Sequence, residues 1–487
     1  MKTSHLVATL LVTFTLAGCS ATAERGGIMG ALWRLEVGPD YQRPPTQLPE
    51  RFRGQPASSD PASLADLPWW DVFGDPSLQR LVREALENNY DLKTAIARVE
   101  QFRAQVGVAA SDLYPHVGYD GAAAREKTFV PLVPGGNHTL NVFSGVLDVA
   151  WEIDVWGRIR RSTEAARAEF LASEDTRRAV MLSLVSDVAS AYFRLLELDR
   201  QREIARSSAD TYQRTLDLFT QRFEGGKDTK LSRSRAEASL AASLAMIARL
   251  DQAIIKQENA ISELVGAAPR PIERGNPLTA QSSPAAPTGL TSDLLQRRPD
   301  ILRAEQDMMS ANAEIGVAVA NFFPRIGLSA LYGGESDKIG NVLKNNFSIW
   351  NIAGSVSGPI FQGGRLIEQY RARQAFWDET IAAYRGTIIR ALREVSDGLA
   401  AQSKLVEERA AEERQVQALA AAVELSLLRY RTGLATYFEV LEAEQQLYPA
   451  EDDLARSQRD QLLTVVGLYK ALGGGWKVPD DAWTGVR

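Results

Sequence analysis

The stretch from Arg365 to Tyr430 holds no proline and is built mainly from Ala, Leu, Arg, Glu and Gln, all good helix formers. As a single helix rising about 1.5 Å per residue, it spans roughly 95–100 Å. No globular core encloses a helix of that length, so it must lie against neighbours, as in a coiled coil or a helical tube. Arg429-Tyr430-Arg431-Thr432-Gly433 ends it, and Gly433 suits a left-handed cap. A return helix is predicted from Phe438 to Leu472, where Val440, Leu441, Leu447, Leu454 and Leu462 recur at near-heptad spacing.

The same design occurs earlier in the chain. Gly157-Arg158 matches Gly364-Arg365. Arg222-Phe223-Glu224-Gly225-Gly226 matches the Arg429–Gly433 turn, and Ala236-Glu237 and Leu240 match Ala443-Glu444 and Leu447. All these pairs share one offset of 207 residues. Tyr114-Pro115 matches Phe323-Pro324 at an offset of 209. The chain is therefore a tandem duplication with a two-residue slip. Each repeat offers a shorter helix, two strands, a long helix and a return helix. In the first repeat the shorter helix is expected within Pro68 to Asp112, starting at Asp75-Pro76-Ser77 and stopped by Tyr114-Pro115.

Four segments read as strands, at about 115–125, 140–155, 324–333 and 347–361. In the second, Phe143, Gly145, Leu147, Val149, Trp151 and Ile153 alternate with Ser144, Val146, Asp148, Ala150, Glu152 and Asp154. In the first, Val117, Tyr119, Gly121 and Ala123 alternate with polar or small residues. Ile326, Leu328, Ala330 and Tyr332 do so in the third, and Ile352, Gly354, Val356 and Ile360 in the fourth. Arg125 to Thr139 and Gly333 to Asn346 read as the connecting loops. Such alternation also serves a soluble sandwich, but four strands are few for one. About ten residues is the length that crosses a bilayer when tilted. Four strands cannot close a barrel, and lipid tolerates no open edge, so strands that span must be pooled by several copies of the chain.

The N-terminus favours a membrane. Lys2 precedes an apolar run from Leu6 to Leu16, too short to span a bilayer and shaped like a secretory signal. Leu16-Ala17-Gly18-Cys19 follows and resembles the lipobox of bacterial lipoproteins. That implies cleavage before Cys19 and its acylation; more than one acyl chain gives stable anchoring. The chain has no other cysteine and only three histidines, which leaves no disulfide framework and no Cys/His metal site. A net charge of −6 speaks against non-specific nucleic-acid binding. Residues 20–66 are rich in proline and glycine around Gly38-Pro39-Asp40-Tyr41, and read as an extended strap or a disordered linker.

Leu295-Gln296-Arg297-Arg298-Pro299-Asp300-Ile301, Ala304-Glu305, Ile315-Gly316 and Phe323-Pro324 form a signature. With Gly38-Pro39-Asp40-Tyr41, Asp154-Val155-Trp156-Gly157-Arg158 and the Arg429–Gly433 turn, it resembles that of outer-membrane efflux lipoproteins. These are TolC-like outer membrane factors that serve tripartite pumps of the resistance–nodulation–division class. The resemblance covers essentially all of the mature chain. It implies a fold that is mainly α with transmembrane β: a homotrimer with a periplasmic α-helical tunnel and a 12-stranded outer-membrane β-barrel, four strands per chain. It implies as partners a periplasmic adaptor and an inner-membrane transporter, with no cofactor. The segments become a signal peptide (1–18), a lipidated strap (19–67), a first repeat (68–268), a linker (269–290), a second repeat (291–475) and a tail (476–487).

The resemblance also assigns a gate. Phe438, Glu439 and Glu442 match the positions that close the inner end of the tunnel. Glu439 and Glu442 share a helix face, and three copies would ring the axis with carboxylates that favour cations. The first repeat has Ser232 and Arg235 at the matching positions. Arg233 or Arg235 is therefore a candidate to pair with a gate glutamate and lock the closed state. The turns Phe223-Glu224-Gly225-Gly226 and Tyr430-Arg431-Thr432-Gly433 resemble the tips that meet the adaptor. Tyr448-Pro449 is expected to kink the last helix. No Ser/His/Asp set, phosphate loop or metal-ligand spacing suggests an enzyme, and Glu407-Glu408 and Glu412-Glu413 read as solvated helix charge. The rival readings are a channel for protein secretion and a structural envelope lipoprotein without a pore.

Overall fold

The computed structural model describes residues 35–55, 63–129, 137–281, 289, 291–475, 477–479 and 483. The signal segment, Cys19 and most of the predicted tail lie outside the described residues. The chain divides into two units. One joins the described part of Met1–Arg43 to Gln101–Phe170 and Gln306–Ile381; the other joins Pro44–Glu100, Leu171–Glu305 and Ala382–Arg487.

The first unit carries one antiparallel sheet of β1 (His116–Phe129), β2 (Asn137–Ile153), β3 (Arg325–Ser336) and β4 (Ser348–Ser357), paired in that order. Its register lines up the apolar residues of the four alternating segments. Tyr119 lies opposite Leu147, Leu147 opposite Tyr332, and Tyr332 opposite Trp350. Val117, Val149, Ala330 and Ile352 form the next row. Residues directly opposite share a face, so these rows make one continuous apolar surface. It is open to the surroundings: Tyr119 is 87% exposed and Trp350 71%. The other face carries Gly118, Asp148, Leu331 and Asn351 in one row and Ala150, Ser329 and Ala353 in another.

The strand ends depart from the alternation. β1 runs on through Arg125–Phe129 and β2 begins at Asn137, within the predicted loop, while β3 continues to Ser336. Ladder hydrogen bonds use only backbone groups, so pairing persists where the apolar pattern has stopped. β4 is shorter than expected. It ends at Ser357, because Pro359 has no N–H to donate, and Ile360 lies beyond it, fully exposed.

The strap is ordered where it is described. Glu36 pairs with Arg161 at 3.0 Å and Arg160 at 3.5 Å, and Asp40 with Arg161 at 2.8 Å. Asn312 Nδ2 donates to the Pro39 carbonyl at 2.9 Å, and Tyr41 meets Trp377 edge to face. Beneath the sheet Trp156 stacks on Phe323 at 4.7 Å and donates to the Pro324 carbonyl at 2.7 Å, so two matched motifs of the two repeats touch.

The helices complete the duplication. The segment from Pro68 to Asp112 is three helices where one was expected: α1 (Trp69–Val72), α2 (Pro76–Asn88) and α3 (Tyr90–Ser111). Asn89 makes the last break. Its backbone is extended, its Oδ1 accepts from the Leu92 N–H at 3.0 Å, and it thereby caps α3. Next come α4 (Arg158–Glu224) and α5 (Lys230–Leu264), a short α6 (Leu294–Arg297), α7 (Pro299–Ala320), α8 (Arg365–Arg431) and α9 (Tyr437–Ala471). Both α4 and α8 have 67 residues, both α5 and α9 have 35, and both α3 and α7 have 22. Pro449 lies inside α9, which runs on past it.

In the second unit Trp69, Tyr192, Tyr384 and Tyr469 are fully buried. Asp75 is a buried hub. One carboxylate oxygen accepts from the Ser77 and Leu78 N–H groups and caps α2; the other accepts from the Tyr192 hydroxyl, the Asn276 N–H and Gln281 Nε2. A carboxylate so supplied with donors needs no counter-charge.

Candidate gate at the hairpin tips

Both hairpin tips lie in the second unit, and their turns are built alike. Gly226 (φ +67°) and Gly433 (φ +78°) take the left-handed backbone that a side chain resists. The Lys227 N–H reaches the Arg222 carbonyl at 2.8 Å, and the Leu434 N–H reaches Arg429 at 2.9 Å. These bonds satisfy the carbonyls left free at a helix C-terminus. Thr229 and Thr436 then cap the return helices. The Thr229 hydroxyl accepts from the Ser232 N–H, whereas Thr436 makes no such side-chain bond. Phe223, Glu224, Gly225, Gly226, Arg431, Thr432 and Gly433 are exposed, and Tyr430 is half-buried.

An aromatic cluster joins the two hairpins. Phe219, fully buried, meets Tyr437 at 4.5 Å, and Tyr430 lies 5.5 Å from Tyr437. The Arg222 guanidinium sits 5.6 Å over the Tyr430 ring and pairs with Asp228 at 3.5 Å. The Tyr437 hydroxyl lies 3.2 Å from Thr215 Oγ1 on α4. Sequence reasoning missed this cluster. Its signal is the inward spacing of Tyr437, Val440, Leu441, Glu444 and Tyr448, which reads as ordinary coiled-coil core until a carboxylate is seen in it.

Of the predicted gate residues, Phe438 is 57% exposed, Glu442 is exposed and Glu439 half-exposed. They flank Val440 and Leu441, which are buried, so the three sit on the outward side of the first turns of α9. Within the chain Glu439 faces Arg429 across its own turn at 3.8 Å. Among the described residues Arg233 and Arg235 form no ion pair within the chain; the first is half-buried and the second exposed. The single chain thus brings Arg429 to the gate glutamate and leaves both predicted locking arginines apart from it. The cause is geometric. Arg233 and Arg235 lie on α5, Glu439 lies on α9, and Arg429 is one turn away in space.

Glu444 is the other residue the sequence did not single out as functional. It is 3% exposed, and burial pushes its carboxyl up to about 7, against a lowering by the Tyr437 hydrogen bond and by Arg214. Burial also raises the Tyr212, Tyr437 and Tyr448 hydroxyls, which therefore stay neutral. On α8 Glu407 and Glu408 are exposed as read, with Lys404 2.9 Å from Glu407, whereas Glu412 and Glu413 are half-buried: Arg409 meets Glu413 at 2.8 Å, and Glu412 Oε2 is buried without a hydrogen-bond partner.

Comparison with known proteins agrees with this architecture. The family model described as Outer membrane efflux protein matches residues 81–267 and 290–474, one stretch for each repeat. The chain is 32% identical over 481 residues to the probable efflux pump outer membrane protein TtgC of Pseudomonas putida, covering 97% of this chain and 96% of that one. It is 30% identical over 466 residues to the probable outer membrane lipoprotein SilC of Salmonella typhimurium, covering 95% and 97%. Among solved structures, the open state of the MtrE outer membrane channel of Neisseria gonorrhoeae superposes with a TM-score of 0.82 at 31% identity, over 91% of this chain and 99% of that one.

Proposed function

The chain belongs to the outer membrane efflux protein family, and we propose that three copies of it form the gated exit duct of a tripartite pump of the resistance–nodulation–division class. As the outer-membrane channel of an efflux pump it is a passive conduit, and the energy for export is spent elsewhere. One observation carries the trimer. The sheet has an apolar face across all four strands, yet β1 and β4 each leave an outer edge unpaired among the described residues. Lipid tolerates no such edge, and four strands are too few to close on themselves. Twelve strands from three chains close one barrel with its apolar rows facing lipid and the face with Asp148, Asn351 and Ser329 facing the lumen.

In this reading Cys19 is acylated and held in the outer membrane. The turns Phe223–Gly226 and Tyr430–Gly433 meet a periplasmic adaptor, which couples the duct to an inner-membrane transporter. Phe438, Glu439 and Glu442 close the lumen, with Arg429 neutralising Glu439 inside each chain. Arg233 or Arg235 meets a gate glutamate only across a subunit boundary. The cargo is small molecules, selected by the transporter.

The test is single-channel conductance of the purified protein in planar bilayers, together with its oligomer mass. A trimer with a small, cation-preferring conductance that rises in Glu439→Ala/Glu442→Ala supports the duct. A monomer, or a trimer silent in both forms, overturns it.

A further inference from the structure

Glu444 lies two residues beyond Glu442 on α9 but faces the opposite way, into the packing against α4. Among the described residues it forms no ion pair. Its partner is the Tyr437 hydroxyl, 3.4 Å from Oε2, and that hydroxyl is also 3.2 Å from Thr215 Oγ1 on α4. A protonated Glu444 donates to Tyr437, which donates to Thr215, so the relay ties α9 to α4 with no charge in it. An ionised Glu444 reverses the relay, Thr215 donating to Tyr437 and Tyr437 to the carboxylate, and leaves a buried charge held by one hydrogen bond of 3.4 Å.

The titratable and charged groups facing Glu444 are Tyr212 and Arg214 from α4 and Tyr437 and Tyr448 from α9. The tyrosines stay neutral and the arginine stays charged, so among these groups Glu444 is the one that changes state near neutrality; Glu451 and Asp452, also raised by burial, lie about two turns further along α9. A groove of about 370 Å³, lined in part by Ser208, Tyr212, Ser243, Gln445, Tyr448 and Pro449, runs alongside and offers water a way in. The matching residue of the first repeat, Glu237, is exposed, so only the second hairpin, the one that carries the gate glutamates, has this device.

We propose that Glu444 is a proton-operated latch: protonated, it bolts the first turns of α9, with Phe438, Glu439 and Glu442, against α4; ionised, it favours their parting, so that the duct opens more readily as pH rises. The latch rests on the gate assignment above. In the packed state the carboxyl titrates at about 7, and in water it returns to the ordinary value near 4.5. Parting therefore releases a proton. The equilibrium shifts toward the parted state as pH rises from about 4.5 to 7 and levels off above, by at most ~300-fold per chain.

The experiment measures open probability of the full-length acylated protein in planar bilayers from pH 5 to pH 8. A Glu439→Gln/Glu442→Gln background removes the titration of the gate itself. With Glu444 intact, opening rises at least tenfold across the range; with Glu444→Gln it stays low and flat. An equal rise in both overturns the latch. Hydrogen exchange of the backbone amides of residues 437–448, corrected for intrinsic rates, gives a readout that needs no conduction. Faster exchange at pH 8 than at pH 5, abolished by Glu444→Gln, supports the latch; no difference between the pH values overturns it. A protein that never conducts but shows this exchange pattern sinks the gate assignment and leaves standing only the proton-dependent packing of α9 on α4.

Discussion

Asn89 and Arg298 do the same work 209 positions apart. Asn89 Nδ2 donates to the carbonyl of Leu264, the last residue of α5, at 2.9 Å; Arg298 Nη1 donates to the carbonyl of Ala471, the last residue of α9, at 2.9 Å. Each therefore satisfies a carbonyl that a helix end leaves free, and each ties that end to the start of the 22-residue helix of its own repeat. The second copy adds charge. Arg298 also holds Asp300 through two bonds, at 2.9 and 2.6 Å, and Glu394 of α8 at 2.7 Å. The arginine in the family signature is thus a clamp on three elements, where its counterpart clamps two.

Replacing Arg298 with Ala strands Glu394 and Asp300 beside a buried carbonyl. Arg298 is buried, but the side chains of Asp300 and Glu394 are 42% and 37% exposed, so water replaces part of the lost pairing and the cost is on the order of 1–3 kcal/mol. Arg298→Lys restores little, because an ammonium cannot reproduce the two-pronged contact with Asp300. Thermal unfolding of the purified protein checks this: a drop in midpoint for both variants is expected, and a Lys variant as stable as the parent contradicts it.

Gly473 has φ +73°, and a Cβ there lies 2.7 Å from the Arg297 carbonyl oxygen. At its counterpart Gly266, φ +70°, an added Cβ would lie 2.5 Å from the Asn88 carbonyl oxygen. Gly473→Ala therefore meets both backbone strain and a clash that backbone must yield to, and costs more than about 1–2 kcal/mol. Gly386→Ala, within α8 with nothing near the added carbon, gains about 0.5–1 kcal/mol from helix propensity. Denaturation midpoints moving in the same direction for both variants would count against this.

Leu147 is flanked by Tyr119 and Tyr332 in the apolar row. Leu147→Arg on the lipid face costs roughly 2–4 kcal/mol near the bilayer midplane. Ser329→Arg, on the opposite face, is tolerated and shifts ion preference instead. The yield of folded protein recovered from outer membranes distinguishes the two; equal yields would contradict the assignment of the faces.

Asp175 in α4 is 7% exposed, and burial pushes its carboxyl up to about 6 despite Arg178 at 3.6 Å. The folded state holds this proton more tightly than the unfolded chain does. Stability is therefore lost as pH rises from about 4 to 6, by at most about 3 kcal/mol. Asp175→Asn is expected to raise the unfolding midpoint at pH 7–8 and to leave it unchanged at pH 4. A midpoint unaltered at pH 8 would contradict this.

Arg429 and Glu439 form an exposed pair, worth at most about 1 kcal/mol. Arg429→Ala therefore changes open probability by less than about fivefold. Reversing Arg233 or Arg235 to Glu is expected to raise conductance further, and adding Glu439→Arg to restore the low level. Conductance unchanged by either reversal removes both arginines from the lock.

Helix lengths, the duplication and the apolar alternation of the strands were all determined by local sequence, because they depend on periodicity, caps and breakers that act over a few residues. Gly226, Gly433, Pro359 and the Val117 to Ile153 alternation mark them directly. The break at Asn89 was less visible, since asparagine interrupts a helix only when its side chain finds a cap and its backbone an acceptor such as the Leu264 carbonyl. Tertiary structure alone decided which acid is buried. Glu442 and Glu444 stand two positions apart on one helix, yet a turn of about 200° separates them, and the packing of α4 selects one for water and the other for the core. Tyr437 standing between Thr215 and Glu444 joins parts of the chain 222 residues apart. No spacing along the sequence encodes that contact, because it depends on how whole helices are rotated against each other.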